Sequence, residues 1–259
     1  MVPKSYDIIG NITIMKFPEG TKKSDKLKEA RNFLVEKKNV KTVLEKTDKV
    51  KGRLRTIKTD YLAGEKNLVA QYVENSCRFK FNVETCYFSP RLSNERREIA
   101  EQIKKGEKIL VMFAGVAPFS IIISKNSKAE KIYSVELGRE CSKYAEENVK
   151  WNKLRNVEVI QGDVKKVIPK FVNCKLKFDR IVMPRPQLKD SFLKEAFLVS
   201  KKNTIINYYG FSKDKQEIVD TIHEQSKKEK KKIKILKIKK AGEIAPYKYR
   251  FRADFIVLN

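Results

Sequence analysis

Four positions after residue 110 of this chain carry the residue types of a ligand site. Gly115 stands in the turn Phe113-Ala-Gly-Val-Ala-Pro-Phe119, Glu136 follows 21 residues later, Asp163 ends Gln161-Gly-Asp163, and Met183-Pro-Arg-Pro186 comes next. A turn of small residues between a strand and a helix directs backbone N–H groups and the positive helix end toward a ligand. An acid closing the second strand is placed to accept hydrogen bonds from both hydroxyls of a ribose. An Asp closing the third strand is placed to meet an adenine amino group. The Gly-x-Gly-x-x-Gly of a diphosphate site is absent, which points away from a dinucleotide and toward S-adenosylmethionine (AdoMet). Each residue also has a structural alternative: Gly115 eases a tight turn, Glu136 caps a helix, and Asp163 is an N-cap. Four such markers in sheet order favour the ligand site.

The elements that must position these residues are legible as alternation. Apolar runs at 108–113, 131–137, 157–161, 178–183 and 204–209 suit buried parallel strands. Helical spacing over 117–125, 138–152, 188–199 and 213–229 separates or follows them. Such β-α alternation predicts an α/β, Rossmann-like sheet, with all four markers at the carboxyl ends of strands where such sheets bind ligands. Runs at 232–240 and 249–258 have only a loop between them, which predicts an antiparallel pair closing one sheet edge. The first ninety residues differ. Residues 6–17 read as two short strands about a Gly10-Asn11 turn, and 24–37 as a helix with Ser24 as N-cap. Strands are expected at 40–45, 68–73 and 79–83, and 46–66 reads as an exposed basic loop or hairpin. The chain is therefore expected to hold a small α+β domain over 1–86 and a larger α/β domain over 87–259.

Composition bounds the partners. The 259 residues include 58 Lys and Arg against 32 Asp and Glu, a net charge of +26. Such a field attracts a polyanion, although the excess of Lys over Arg also fits a lysine-biased surface with no functional pressure. No apolar run reaches the length of a membrane span, and no leader reads as a signal peptide. Cys77, Cys86, Cys141 and Cys174 contain no Cys-x-x-Cys pair, and His223 is the single histidine, so neither a disulfide framework nor a metal site is expected. A cytoplasmic protein fits this usage.

Several segments resemble a known family. Asn75-Ser-Cys-Arg-Phe-Lys-Phe81, Tyr87-Phe-Ser-Pro-Arg-Leu-Ser-Asn-Glu-Arg96, Met112–Phe119 and Gly242-Glu-Ile-Ala-Pro246 with Tyr249-Arg-Phe-Arg-Ala-Asp-Phe255 are similar to archaeal and eukaryotic tRNA (guanine-37 N1)-methyltransferases. A sister family, the aminocarboxypropyl transferases of wybutosine synthesis, shares the fold and AdoMet. Ser89-Pro90-Arg91 and Pro118-Phe119 favour the methyltransferases. The resemblance implies a class I methyltransferase domain with a mostly parallel seven-stranded sheet and a terminal antiparallel strand. It implies tRNA as partner, AdoMet as cofactor, no metal, no membrane and no obligatory protein partner; a monomer is expected. Guanine N1 is a poor nucleophile until its proton leaves, so the chemistry needs a general base at N1 and a cation at O6. The resemblance assigns the base to Glu95 and the cation to Arg55, with Arg53 close in sequence. It assigns cofactor binding to Tyr87, Phe113, Ala114, Gly115, Glu136, Asp163, Pro184 and Pro186, and substrate binding to Arg55, Arg96 and Arg185. Read alone, Ser89-Pro90 is also an ordinary helix start, and Glu95 with Arg91 an ordinary i, i+4 pair.

Three departures stand out. Pro184-Arg185-Pro186 replaces the family's Asn-Leu-Pro, so either backbone carbonyls and Arg185 take over the contact of that Asn or the target base differs. Ala117 replaces a second glycine of the turn. The chain is also expected to lack the extra N-terminal domain of many members, and with it some checking of whole-tRNA shape. Two other readings follow: aminocarboxypropyl transfer to a wyosine-type base, and a non-catalytic RNA-binding protein with a degraded methyltransferase fold.

Overall fold

The structure, a computed structural model, describes residues 3, 5–47, 52–184, 188–245 and 247–259. The chain divides into two compact units, Met1–Pro90 and Arg91–Asn259.

In the first unit, β1 (Ser5–Ile9) and β2 (Ile12–Lys16) form a hairpin about Gly10 and Asn11. Helix α1 (Lys23–Glu36) crosses over to β3 (Thr42–Lys46), which lies parallel to β2, and β4 (Thr59–Gly64) pairs antiparallel with β3. The sheet order is β1-β2-β3-β4. Ala30 and Phe33 of α1 pack with Met15, Phe17, Val43 and Leu62 as the core. The helix starts one residue before Ser24, from Lys22 and without a side-chain cap, so Ser24 is not the N-cap. β4 occupies the second part of the basic stretch 46–66. Its alternation is hidden because the β3–β4 register shifts between Val43 and Leu44, which lets neighbouring Leu62 and Ala63 both be buried. β5 (Val69–Glu74) and β6 (Cys77–Asn82) form a separate antiparallel pair. Phe88 stacks on Phe81 at 4.8 Å and meets Tyr72 edge-on at 5.0 Å.

A 3-10 turn at Pro90–Leu92 leads into α2 (Ser93–Glu101). Strands and helices then alternate: β7 (Lys108–Met112), α3 (Pro118–Asn126), β8 (Lys131–Glu136), α4 (Arg139–Trp151), β9 (Val157–Gln161), α5 (Val164–Asn173), β10 (Phe178–Met183), α6 (Leu193–Leu198), β11 (Ser200–Ser212) and α7 (Lys215–Lys228). The chain ends with β12 (Ile233–Ala245) and β13 (Lys248–Val257). The sheet order is β12-β13-β11-β10-β7-β8-β9, and β13 runs antiparallel to both of its neighbours. Strand order reverses between β7 and β10, the switch point where open α/β sheets bind ligands. The main core lies between this sheet and its helices, around Met112, Ile168, Phe178, Ile206, Phe197 and Phe255.

Two helices differ from the sequence expectation. Helix α5 was not expected, because Pro169 interrupts its pattern; its buried Val164, Val167 and Ile168 and the Asp163 cap hold it nonetheless. Helix α6 keeps only the second half of the expected 188–199, starting after Phe192 in a left-handed conformation.

The Gly10 turn carries a strict steric requirement. Its φ is +60°, and a Cβ there would lie 1.7 Å from the carbonyl oxygen of Gln71. Gly10→Ala is expected to cost roughly 2 kcal/mol or more, read from urea unfolding followed by circular dichroism. Unchanged stability would show that β5 moves aside at little cost.

Candidate active site

The turn after β7 is a close-packed element. Phe113, Gly115 and Ala117 all adopt left-handed φ of +60°, +57° and +63°, a conformation that costs a non-glycine residue about 1–2 kcal/mol. Ala117 thus holds a backbone geometry for which glycine is better suited. Pro118 then opens α3 at its first position. The Ala114 N–H donates to the Val135 carbonyl at 2.9 Å, tying the turn to β8. Phe113 packs edge-on against Phe192 at 4.9 Å.

Glu136 fastens this turn. Its Oε2 accepts from the Gly115 N–H and its Oε1 from the Gly138 N–H, both at 2.7 Å. Burial raises its carboxyl above the usual carboxylate range, and the N–H groups of Gly138, Gly115 and Leu137 offset part of that. Asp163 caps α5, its Oδ1 accepting from the Lys165 N–H at 2.9 Å. Pro184 is half-buried at the end of β10, while Arg185 and Pro186 lie outside the described residues. Gly115, Glu136, Asp163 and Pro184 therefore all stand at carboxyl ends of neighbouring strands of one sheet.

A second cluster surrounds Glu95 on α2, itself only 6% exposed. Its Oε2 accepts from Arg252 Nη1 at 2.7 Å and from the Tyr209 hydroxyl at 3.2 Å. Its Oε1 pairs with Lys239 Nζ at 2.6 Å. These partners come from β13, β11 and β12, so Glu95 is anchored to the sheet rather than along its own helix. Glu98, one turn on, shares both cations: Arg252 at 3.2 Å and Lys239 at 2.8 Å. The Lys239 bond holds the Glu98 carboxyl below its usual range. Burial works against the Lys239 ammonium, but its bonds to Glu95 and Glu98 prevail and raise it. Burial pushes the Tyr209 phenol well above its ordinary value, so it stays a hydroxyl donor.

The two clusters meet through α3. Phe119, two residues past Ala117, packs against Tyr209 with ring centres 5.8 Å apart and lies under the buried Arg96 guanidinium at 5.9 Å. In the first unit, Arg55 and Tyr87 come together, the guanidinium 4.2 Å above the ring. Arg55 has φ of +57°, and its buried Nε has no hydrogen-bond partner among the described residues. Burial, then Lys16 and Arg55, lowers the nearby Lys46 ammonium, which marks a concentrated positive patch. Arg53 is exposed. Among the described residues no cluster of His, Cys, Asp and Glu suits a metal, and no helix is long and apolar enough to cross a membrane.

Sequence reading missed Tyr209, Lys239 and Arg252. The available signal was Arg252-Ala-Asp254 in a strand of alternating apolar residues: charges in an interior strand must find partners.

The sheet order, the single antiparallel strand beside the edge and the switch-point turn braced by an acid define a class I methyltransferase fold. A family model described as TRM5/TYW2 methyltransferase domain matches residues 70–236, and one described as TYW2 N-terminal domain matches residues 1–67. The chain belongs to the TRM5/TYW2 methyltransferase family. It is 36% identical over 260 residues to tRNA (guanine(37)-N(1))-methyltransferase Trm5b of Pyrococcus abyssi, across 99% of this chain and 76% of that one. It is 34% identical to the tRNA (guanine(37)-N(1))/4-demethylwyosine(37)-methyltransferase Taw22 of Nanoarchaeum equitans, across 98% of this chain and all of the relative. The solved complex of aTrm5 and tRNALeu superimposes with a TM-score of 0.87 at 26% identity, covering 100% of this chain and 73% of that one.

The raised Glu136 carboxyl has a measurable sign. The unfolded chain ionises near 4.5, before the folded one does, so this residue lowers stability as pH rises from that value toward neutrality. Glu136→Gln removes the dependence. The stability of the wild type relative to this variant is expected to fall as pH rises above about 4.5, in denaturant titrations at several pH values. A constant difference would mean that the carboxyl titrates as it does in the unfolded chain.

Proposed function

We propose that this protein transfers a methyl group from AdoMet to N1 of guanosine 37 in tRNA, next to the anticodon. One observation carries the reading: a cofactor-type turn braced by Glu136 and a buried carboxylate, Glu95, share one unit and are linked through Phe119. In this reading residues 1–86 bind the RNA and residues 87–259 form the AdoMet-binding domain.

The residues of the turn fit AdoMet. Both Glu136 oxygens accept from backbone N–H groups, and the acceptor capacity left on the carboxylate would meet the ribose hydroxyls. Phe113, Ala114 and Gly115 would line the cofactor, Asp163 would meet the adenine amino group, and Pro184 and Pro186 would close the pocket. When bound, AdoMet supplies a methyl group on a sulfonium, which departs as a neutral thioether. Glu95 takes the N1 proton of guanine, and the electron pair left on N1 forms the new bond to carbon. Arg55 offsets the negative charge that builds on O6, and stacking on Tyr87 pre-orients its guanidinium. Arg185 would hold the RNA strand, and the buried Arg96 would help to position Glu95. The positive surface draws in the tRNA, and a cytoplasmic monomer suffices for one basic face along one RNA.

Mass spectrometry of nucleosides from unmodified tRNA incubated with the protein and AdoMet tests this. The expected product is 1-methylguanosine. A four-carbon amino acid adduct on a tricyclic base would replace this reading with aminocarboxypropyl transfer, and no AdoMet binding by calorimetry would leave an RNA-binding protein. Glu95→Gln is expected to slow single-turnover transfer roughly 10²- to 10⁴-fold while AdoMet affinity is retained. Equal losses in both would make Glu95 a cofactor-site residue instead.

A further inference from the structure

The contacts of Glu95 distinguish its two oxygens. An ionised carboxylate offers about four acceptor sites, two on each oxygen. Arg252 Nη1 and the Tyr209 hydroxyl take both sites on Oε2. Lys239 takes one on Oε1. Among the described residues nothing takes the second site on Oε1.

The group that fixes this pattern is itself immobilised. The Arg252 side chain is fully buried, and its Nε lies 3.1 Å from Asp254 Oδ1. Asp254 accepts from Asn207 at 2.7 Å, Asn207 accepts from Arg180 at 3.3 Å, and Arg180 pairs with Glu107 at 2.8 Å. This row crosses β13, β11 and β10 and ends at the segment before β7. Among the described residues neither Arg252 Nε, which keeps only its ion pair with Asp254, nor Nη2 has a hydrogen-bond partner, although both are buried, a cost that a cluster selected for stability alone would avoid. Lys239 differs from Arg252 in being partly exposed, although both cations reach Glu95 and Glu98.

We propose that Arg252, assisted by Tyr209, is a positioning residue that pins Glu95 Oε2 and thereby makes Oε1 the oxygen that receives the guanine N1 proton. The inference rests on Glu95 being the general base. The proton moves from N1 to Oε1, the N1 electron pair bonds to the methyl carbon, and the carbon–sulfur pair stays on sulfur. Glu95 then returns its proton to water. Arg252 forms no bond to substrate; its effect is the direction in which Oε1 points.

Single-turnover methylation of tRNA at saturating AdoMet tests this with Arg252→Met, Arg252→Lys, Tyr209→Phe, Glu95→Gln and the Glu95→Gln/Arg252→Met double variant. Arg252→Met is expected to lose roughly 10²-fold in rate, the scale of a misplaced reacting group, with AdoMet and tRNA dissociation constants within about twofold. Arg252→Lys should recover about tenfold, because an ammonium still holds one oxygen but without the rigid fork. In the Glu95→Gln background, Arg252→Met should change the rate by less than about twofold, since the two act as one unit. Full multiplication of the two losses, or an Arg252→Met rate near wild type, overturns the proposal. Should Arg252→Met fail to fold, Tyr209→Phe decides, because it removes only one hydroxyl: a several-fold loss of rate supports the pinning and an unchanged rate overturns it. A Glu95→Gln variant as fast as wild type would sink the general-base reading itself, an outcome distinct from a slow Glu95→Gln beside a harmless Arg252→Met.

Discussion

A guanidinium without access to water needs negative charge beside it, and Arg252 has carboxylates from two directions. Asp254 comes from its own strand, and Glu95 and Glu98 from a helix laid across the sheet. The attraction fixes where α2 sits and which of its faces turns inward. That in turn sets α3, which packs on α2 and begins at the left-handed turn after β7. Removing one partner from such a pair leaves a buried charge uncompensated, a loss of about 3–5 kcal/mol in measured cases. The placement of the helix is thus enforced by electrostatics as much as by apolar burial.

The turn after β7 is costly in a complementary way. Two non-glycine residues, Phe113 and Ala117, hold left-handed backbone, and Glu136 carries a carboxylate into a site that disfavours its charge. None of these choices improves stability by itself. Together they leave backbone N–H groups and a carboxylate aimed along the ends of β7, β8 and β9. Strain and shifted titration gathered at one place in a sheet mark where a fold is shaped for a ligand. The surrounding apolar core of the second unit supplies what these features give up.

Much of this was readable in the chain. Apolar runs of strand length separated by helical spacing gave the β-α alternation, and the markers Gly115, Glu136 and Asp163 fell at strand ends, because both signals are local. The alternative roles weighed for Glu136 and Asp163 prove compatible with ligand duty: Asp163 does cap α5, and Glu136 does bond to the N–H beneath α4. Where local signals conflict with packing, sequence reading went astray. Pro169 masked α5, and the register shift beside Val43 masked β4. Ser24 had cap chemistry, yet the helix began one residue earlier.

The sequence by itself determined the order of elements, the small-residue turn and the charge that draws in a polyanion, since each depends on neighbours within a few residues. Only the tertiary structure decided the surroundings of Glu95. Its partners lie 114 and 157 residues further along, in Tyr209 and Arg252, and reach it only after the last strand has inserted beside β11. A run such as Arg250-Phe-Arg-Ala-Asp-Phe255 states that charges alternate with apolar residues. Whether they meet water or a carboxylate depends on which strand lies at the sheet edge, and here that edge is β12, leaving β13 and its arginine inside.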